Sequence, residues 1–89
     1  MYGKSSEFEV FFSAKALRQL KALGIMEQKR IKEAVRKIES FPPATDVVKV
    51  QTQPGVFRMR AGNQRIFFRY RFDLKQVEII AILPREHAY

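Results

Sequence analysis

One step in the chain fixes more of its structure than any other. This is Gly62-Asn63, set between two stretches of apolar and basic residues, 56–61 and 64–72. A two-residue connection between strands joins directly opposed residues, so it admits one pairing. Ala61 is then expected opposite Gln64, Arg60 opposite Arg65, Met59 opposite Ile66 and Phe57 opposite Phe68. Strand side chains alternate between faces, and a slip of one residue would exchange the apolar set for the basic one. One face of the hairpin therefore carries Phe57, Met59, Ile66 and Phe68, and the other carries Arg58, Arg60, Arg65, Phe67, Arg69 and Arg71.

A third strand is expected over 77–83, after the turn sequence Asp73-Leu74-Lys75-Gln76. A tight turn at Leu74-Lys75 would set Phe72 opposite Val77, Tyr70 opposite Ile79 and Phe68 opposite Ala81, which keeps the core face apolar. On the outer face the same pairing sets Arg71 against Glu78 as a structural ion pair. Phe67 would share its parity with Ile80 and Ile82. Packing on them is the expectation, and stacking on an unpaired base the alternative.

The first half of the chain supplies the cover for this sheet. Phe8, Val10 and Phe12 alternate as in a short strand, and Ser13 offers a helix N-cap. From Ala14 the spacing turns helical, with Ala16, Leu17, Leu20 and Leu23 on one stripe and Gly24 as the stop. A second helix is expected over 26–40, with Ile31, Ala34, Val35 and Ile38 inward, ended by Phe41-Pro42-Pro43. The short link makes the two helices an antiparallel hairpin, each with one apolar stripe that needs a sheet. Residues 42–55 read as a loop. The fold class is α+β: an N-terminal strand, the helix hairpin, then a three-stranded antiparallel meander in a small twisted sheet with helices on one face. At 89 residues, 1–89 reads as a single domain.

Seventeen Lys and Arg against nine Asp and Glu leave a net charge of +8, which points to a polyanionic partner. The excess is local. Between Val47 and Phe72 there is no Asp or Glu, and Lys49 with five arginines supplies +6 of that total. Arg60 opposite Arg65 sets like charges face to face, at a cost of up to about 1 kcal/mol that a bound anion would remove. The plainer reading is a solvated strand face, and for helix cations such as Lys15, Arg18 and Lys29 a solvated helix face weighs at least as much as contact with nucleic acid. With no cysteine and one histidine, the sequence offers neither a disulfide framework nor a metal cluster. It shows no signal-peptide core or bilayer-spanning run, so a cytoplasmic location with no membrane partner is the expectation.

After Pro84 the tail Arg85-Glu86-His87-Ala88-Tyr89 is expected beside the start of the strand that carries Arg65. Groups able to hold a phosphate or move a proton would meet there. At this point the sequence resembles the RelE/ParE superfamily of type II toxin–antitoxin toxins, closest to RelE-like mRNA interferases. The resemblance runs through FSAKALRQLKAL, the second helix ending in FPP, VFRMRAGNQRIFFRY and ILPREHAY, nearly the whole chain.

That resemblance implies a translation-inhibiting mRNA endoribonuclease acting in the ribosomal A site without a metal or other cofactor, and neutralised by a cognate antitoxin. The ribose 2′-hydroxyl attacks the adjacent phosphate, leaving a cyclic phosphate and a free 5′-hydroxyl. Carried over by position, Arg58 and Arg60 match the paired basic residues before the turn, Arg65 the arginine that opens the next strand, and Arg85 the one after the last strand. Tyr89 falls near the family's C-terminal tyrosine. Arg65 and Arg85 would stabilise the phosphorane. His87 is the natural acid or base, and Tyr89 either a stacking platform or a base. Lys49, Arg58, Arg60 and Arg69 would bind RNA, with Lys49 and Arg58 mainly gripping backbone phosphates. Several RelE members carry lysines where this chain has Arg58 and Arg60, and arginine is a poor proton shuttle. The competing functions are a ParE-like inhibitor of DNA gyrase without nuclease activity, a nonenzymatic RNA-binding module, and a degenerate toxin kept as a partner of its antitoxin.

Overall fold

Ser13 turns the chain from strand to helix and ties the first helix to the far end of the sequence. Its hydroxyl accepts the Ala16 N–H at 3.0 Å, capping a helix α1 over Ala14–Lys21, and donates to the Ile80 carbonyl at 2.9 Å. The computed structural model describes residues 8–43 and 46–85. Before α1 lies strand β1 (Glu9–Phe12), and after it come α2 (Ile25–Arg36), β2 (Val47–Lys49), β3 (Phe57–Ala61), β4 (Gln64–Arg71) and β5 (Gln76–Pro84). The five strands form one sheet in the order β1-β5-β4-β3-β2, with β1 parallel to β5 and the other neighbours antiparallel.

Helices and sheet meet along the expected stripes. Ala16 and Leu20 of α1, Ile31, Ala34 and Val35 of α2, and Ile38 beyond it are buried against Met59, Ala61, Ile66, Phe68, Tyr70, Val77 and Ile79. Leu17 departs from its stripe and is 39% exposed. The core thus lies between the helices and one face of the sheet. Among the described residues, no helix is long and apolar enough to cross a membrane.

The β3–β4 hairpin pairs as the turn predicts: Ala61 with Gln64, Arg60 with Arg65, Met59 with Ile66 and Phe57 with Phe68. Gly62 takes φ +61°, and no other residue of the loop has a positive φ. A left-handed residue at the first loop position alone is the type II′ pattern, whose twist matches the strands it joins. A side chain at Gly62 would also press on Arg30, whose Nη1 lies 3.3 Å from the position a Cβ would take.

Four expectations need correction. The loop over 42–55 contains β2, which pairs with β3 through Val47–Met59, Val48–Arg58 and Lys49–Phe57 and forms the edge opposite β1. The second helix stops at Arg36 rather than Ser40, because the next N–H groups bond three residues back, Ile38 to Val35 and Glu39 to Arg36. Gly24 does not end α1 through a left-handed conformation. Its φ is −67°, and it serves as the N-cap of α2.

The fourth is the β4–β5 register. The turn between these strands takes four residues, with Lys75 at φ +55°, so Tyr70 faces Val77, Phe68 faces Ile79 and Arg69 faces Glu78. A bulge then intervenes, and beyond it Phe67 faces Ala81, Ile66 faces Ile82 and Arg65 faces Leu83. Ile80 is the extra residue, and a bulge leaves the ladder broken at that point. Side chains of α1 and its N-cap satisfy the backbone there: Ser13 donates to the Ile80 carbonyl, and Gln19 Oε1 accepts the Ile82 N–H at 2.7 Å. Ile82 consequently faces the helices, while Ile80, Ala81 and Leu83 join Val56 and Phe67 in a second apolar cluster on the arginine side.

Tyr70 ties α2's exit to the sheet. Its hydroxyl donates to the Ile38 carbonyl at 2.9 Å, and its ring lies within edge or stacking distance of Phe8, Phe41 and Phe72. Burial pushes the phenol from 10.0 up to about 12. The unfolded phenol ionises near 10, so the stability tied to this group is complete below pH 10 and lost as pH rises from 10 towards 12. Tyr70→Phe should lose about 1 kcal/mol in urea unfolding at pH 7. Its stability should also fall less steeply than wild type's between pH 10 and 12.

Candidate nucleic-acid interface

The period-two alternation of β3 and β4 turns Arg58, Arg60 and Arg65 to the side of the sheet away from the helices. There they line one pocket of about 410 Å³ together with Asp46 and Val48. Val48 enters because it pairs with Arg58 across the β2–β3 ladder. Continuing that register one residue past Val47–Met59 sets Asp46 opposite Arg60, which in turn faces Arg65. A row of Asp46, Arg60 and Arg65 thus crosses three strands.

None of the three pocket arginines has an ion-pair partner among the described residues. The ion pairs lie elsewhere, at Glu78, which accepts Arg69 Nε at 2.9 Å and stands 3.6 Å from Arg71 Nη1. The β4–β5 register is the cause, since Glu78 faces Arg69 and not Arg71. Arg71 keeps the ion pair expected of it, and Arg69 takes the closer one. Two of the five arginines between Val47 and Phe72 are therefore held by a carboxylate, and three are left to attract an anion.

Phe67 is 1% exposed and packs with Val56 and Ala81. It cannot stack on a base from that position, and packing is its role. Of the two partners expected, Ile80 joins this cluster and Ile82 lies on the other face, while Ala81, expected opposite Phe68, faces Phe67 instead. This second apolar cluster packs beside the arginines, on the face of the sheet away from the helices.

Lys49 is placed apart from the arginines. It pairs with Phe57, whose side chain packs on the helix side, and it borders a larger cavity of about 590 Å³ with Phe41, Phe57, Tyr70 and Phe72. That cavity has a mainly aromatic and aliphatic lining. Its phenol is engaged with the Ile38 carbonyl and raised to about 12, so it does not exchange protons near neutrality. The smaller, arginine-lined pocket is the better candidate for chemistry on an anion.

Arg85 follows the end of β5, where its N–H donates to the Asn63 carbonyl at 2.9 Å. The backbone bond brings it to the hairpin turn that precedes Arg65. Arg85 is exposed and does not line the 410 Å³ pocket. His87 and Tyr89 lie outside the described residues. Asp46 and Val48 went unrecognised in the sequence because β2 did. The signal available was the β-branched pair Val47-Val48 shortly after two prolines, a short strand with an acidic residue at its mouth.

The architecture that results, two helices over one face of a five-stranded mixed sheet with a basic opposite face, is the RelE fold. Solved structures share it over nearly their whole length. The archaeal RelE–RelB complex from Pyrococcus horikoshii matches at TM-score 0.76 and 22% identity, over 92% of this chain and 99% of that one. The intact Escherichia coli RelBE toxin–antitoxin complex matches at 0.75 and 17%, over 90% and 99%. The toxin–antitoxin complex RelBE2 from Mycobacterium tuberculosis matches at 0.73 and 22%, over 89% and 99%. No family model matches the chain, and no curated protein matches it by sequence.

Releasing the two held arginines gives a direct check on this division of charge. Glu78→Gln should cost no more than about 1 kcal/mol in urea unfolding, because the pair is partly exposed. It should also tighten binding of single-stranded RNA several-fold at low salt, read by fluorescence anisotropy.

Proposed function

We propose that this chain is the toxin of a toxin–antitoxin pair, an endoribonuclease that cuts mRNA in the ribosomal A site and so inhibits translation. The observation that carries the reading is the pocket of Arg58, Arg60 and Arg65, none ion-paired among the described residues, on a RelE fold. The reaction is attack of the ribose 2′-hydroxyl on the adjacent phosphate, which expels the 5′ oxygen and leaves a cyclic phosphate. Charge grows on the phosphoryl oxygens as the phosphorane forms. Fixed guanidiniums stabilise it there without reorganising, and they form paired hydrogen bonds to its oxygens.

Arg65 and Arg85 carry that role in this proposal, Arg58 and Arg60 hold the flanking phosphates, His87 moves a proton, and Tyr89 stacks on a base or takes a proton. Lys49, on the other side of the ladder, contributes general attraction. Arg69, held by Glu78, adds little to RNA binding while that pair is intact. The reaction places the protein in the cytoplasm, where ribosomes are. The partner is an antitoxin that covers the basic and apolar surfaces; several neighbouring RelE structures are complexes with RelB.

Cleavage of mRNA on programmed ribosomes, followed by primer extension, tests the reading. Wild type should cut within the A-site codon, and Arg65→Ala and Arg85→Ala should each lower the single-turnover rate by roughly 100-fold or more. Intact mRNA together with inhibited gyrase supercoiling would establish the ParE-like function instead.

A further inference from the structure

The larger cavity, near the β2 edge and on the helix side of the sheet, has no part in the chemistry assigned to the arginine pocket. It encloses about 590 Å³, the size of a ligand site. Phe41, Phe57, Tyr70 and Phe72 line it, and Lys49 is the one charged residue of its lining. The loop between β2 and β3 forms one wall and is closed by its own backbone: the Val50 N–H donates to the Val56 carbonyl at 2.9 Å, and the Val56 N–H to the Gln53 carbonyl at 3.1 Å. The cavity is thus built into the fold.

Its rings are not fully covered. Phe72 is 57% exposed and Phe41 41%, although both rings pack against Tyr70. Aromatic surface left in water is unfavourable, and it offers a face on which a base can stack. Lys49 makes no ion pair among the described residues, and Gln51 adds to the lining an amide able to donate and accept at a base edge. An aromatic wall for the base and a cation for the phosphate are what an unpaired nucleotide requires. An uncharged ligand would use the rings and leave the cation unmatched.

Placement selects the source of that nucleotide. Val48 and Lys49 are neighbours on β2, and strand alternation turns Val48 to the arginine pocket and Lys49 to the aromatic cavity. Since β2 is the last strand of the sheet on this side, no further strand among the described residues separates the two. RNA held by Arg58, Arg60 and Arg65 therefore needs only to pass the edge of β2 to bring a neighbouring base over the rings.

We propose that the aromatic cavity is a base-binding subsite for an unpaired nucleotide of the bound RNA, which stacks on Phe72 and Phe41 while Lys49 grips the phosphate that crosses the edge. The inference rests on the RNA-binding part of the reading above and not on cleavage.

The test is a binding series, read by anisotropy, in which short single-stranded RNAs with one abasic nucleotide at successive positions meet wild type, Phe72→Ala and Lys49→Gln. Both residues are exposed, and circular dichroism checks that the variants fold. Phe72→Ala should bind intact RNA roughly 10-fold more weakly with an unchanged salt slope, because a stack is lost and no phosphate contact. Lys49→Gln should flatten that slope by about 0.7. One abasic position should cost wild type a similar factor and Phe72→Ala nothing further, which couples that base to that ring. Phe72→Leu, which keeps the bulk and loses the ring, should show the same coupling. Abasic losses equal in wild type and Phe72→Ala at every position would overturn the inference and assign the cavity to another ligand, such as an apolar segment of a partner protein. AMP bound as tightly as the RNA would assign it to a free nucleotide and overturn it too, as would wild type that binds no RNA. Coupling at one position, with mRNA left uncut on the ribosome, would remove the nuclease reading and leave this inference standing.

Discussion

The opposition of Arg60 to Arg65 is the constraint on which the site depends, and Gly62 enforces it. A residue at φ +61° in a two-residue loop holds β3 and β4 in a single register, and that register puts two guanidiniums side by side on the solvent face. Sliding apart would relieve the repulsion but would turn Met59, Ile66 and Phe68 out of the core. Burying those side chains is worth roughly 1.5–3 kcal/mol each, against up to about 1 kcal/mol for the like-charge pair. Packing wins, and the sheet is left with a local positive charge that no internal carboxylate neutralises by an ion pair among the described residues.

The second apolar cluster gives that arrangement its stiffness. In many sheets with helices on one side the other side is simply solvated, but here Val56, Phe67 and Ala81 are buried on it. They come together because the bulge at Ile80 lets two successive residues of β5 face one residue of β4. The side chains that satisfy the bulge, Ser13 at the N-cap of α1 and Gln19 within it, thus influence the arginine face from the opposite side of the molecule. Sequence distance hides the connection: Ser13 and Ile80 are 67 residues apart.

That separation explains what could be read from the sequence and what could not. The β3–β4 pairing was legible because the turn is two residues long and local, and the inward faces of both helices were legible from their 3.6-residue spacing. The β4–β5 pairing was not, since the turn at Phe72–Lys75 is longer than its composition suggests and the bulge is stabilised by tertiary contacts to α1. The consequence reached the site: Glu78 holds Arg69 most closely, so an arginine expected at RNA also has a carboxylate partner. Asp46 was missed for a related reason. A three-residue edge strand carries almost no periodic signal, and only its pairing with β3 brings Asp46 to the arginines.

In the proposed reading Arg58, Arg60 and Arg65 form the anion site, and Arg69 is mainly engaged with Glu78. The salt dependence of single-stranded RNA binding tests it most directly, because each phosphate contact adds about −0.7 to the slope of log K against log salt. Arg58→Ala, Arg60→Ala and Arg65→Ala should each flatten that slope by about 0.7, and Arg69→Ala should leave it nearly unchanged. Equal flattening by all four substitutions, or none by the first three, would contradict it.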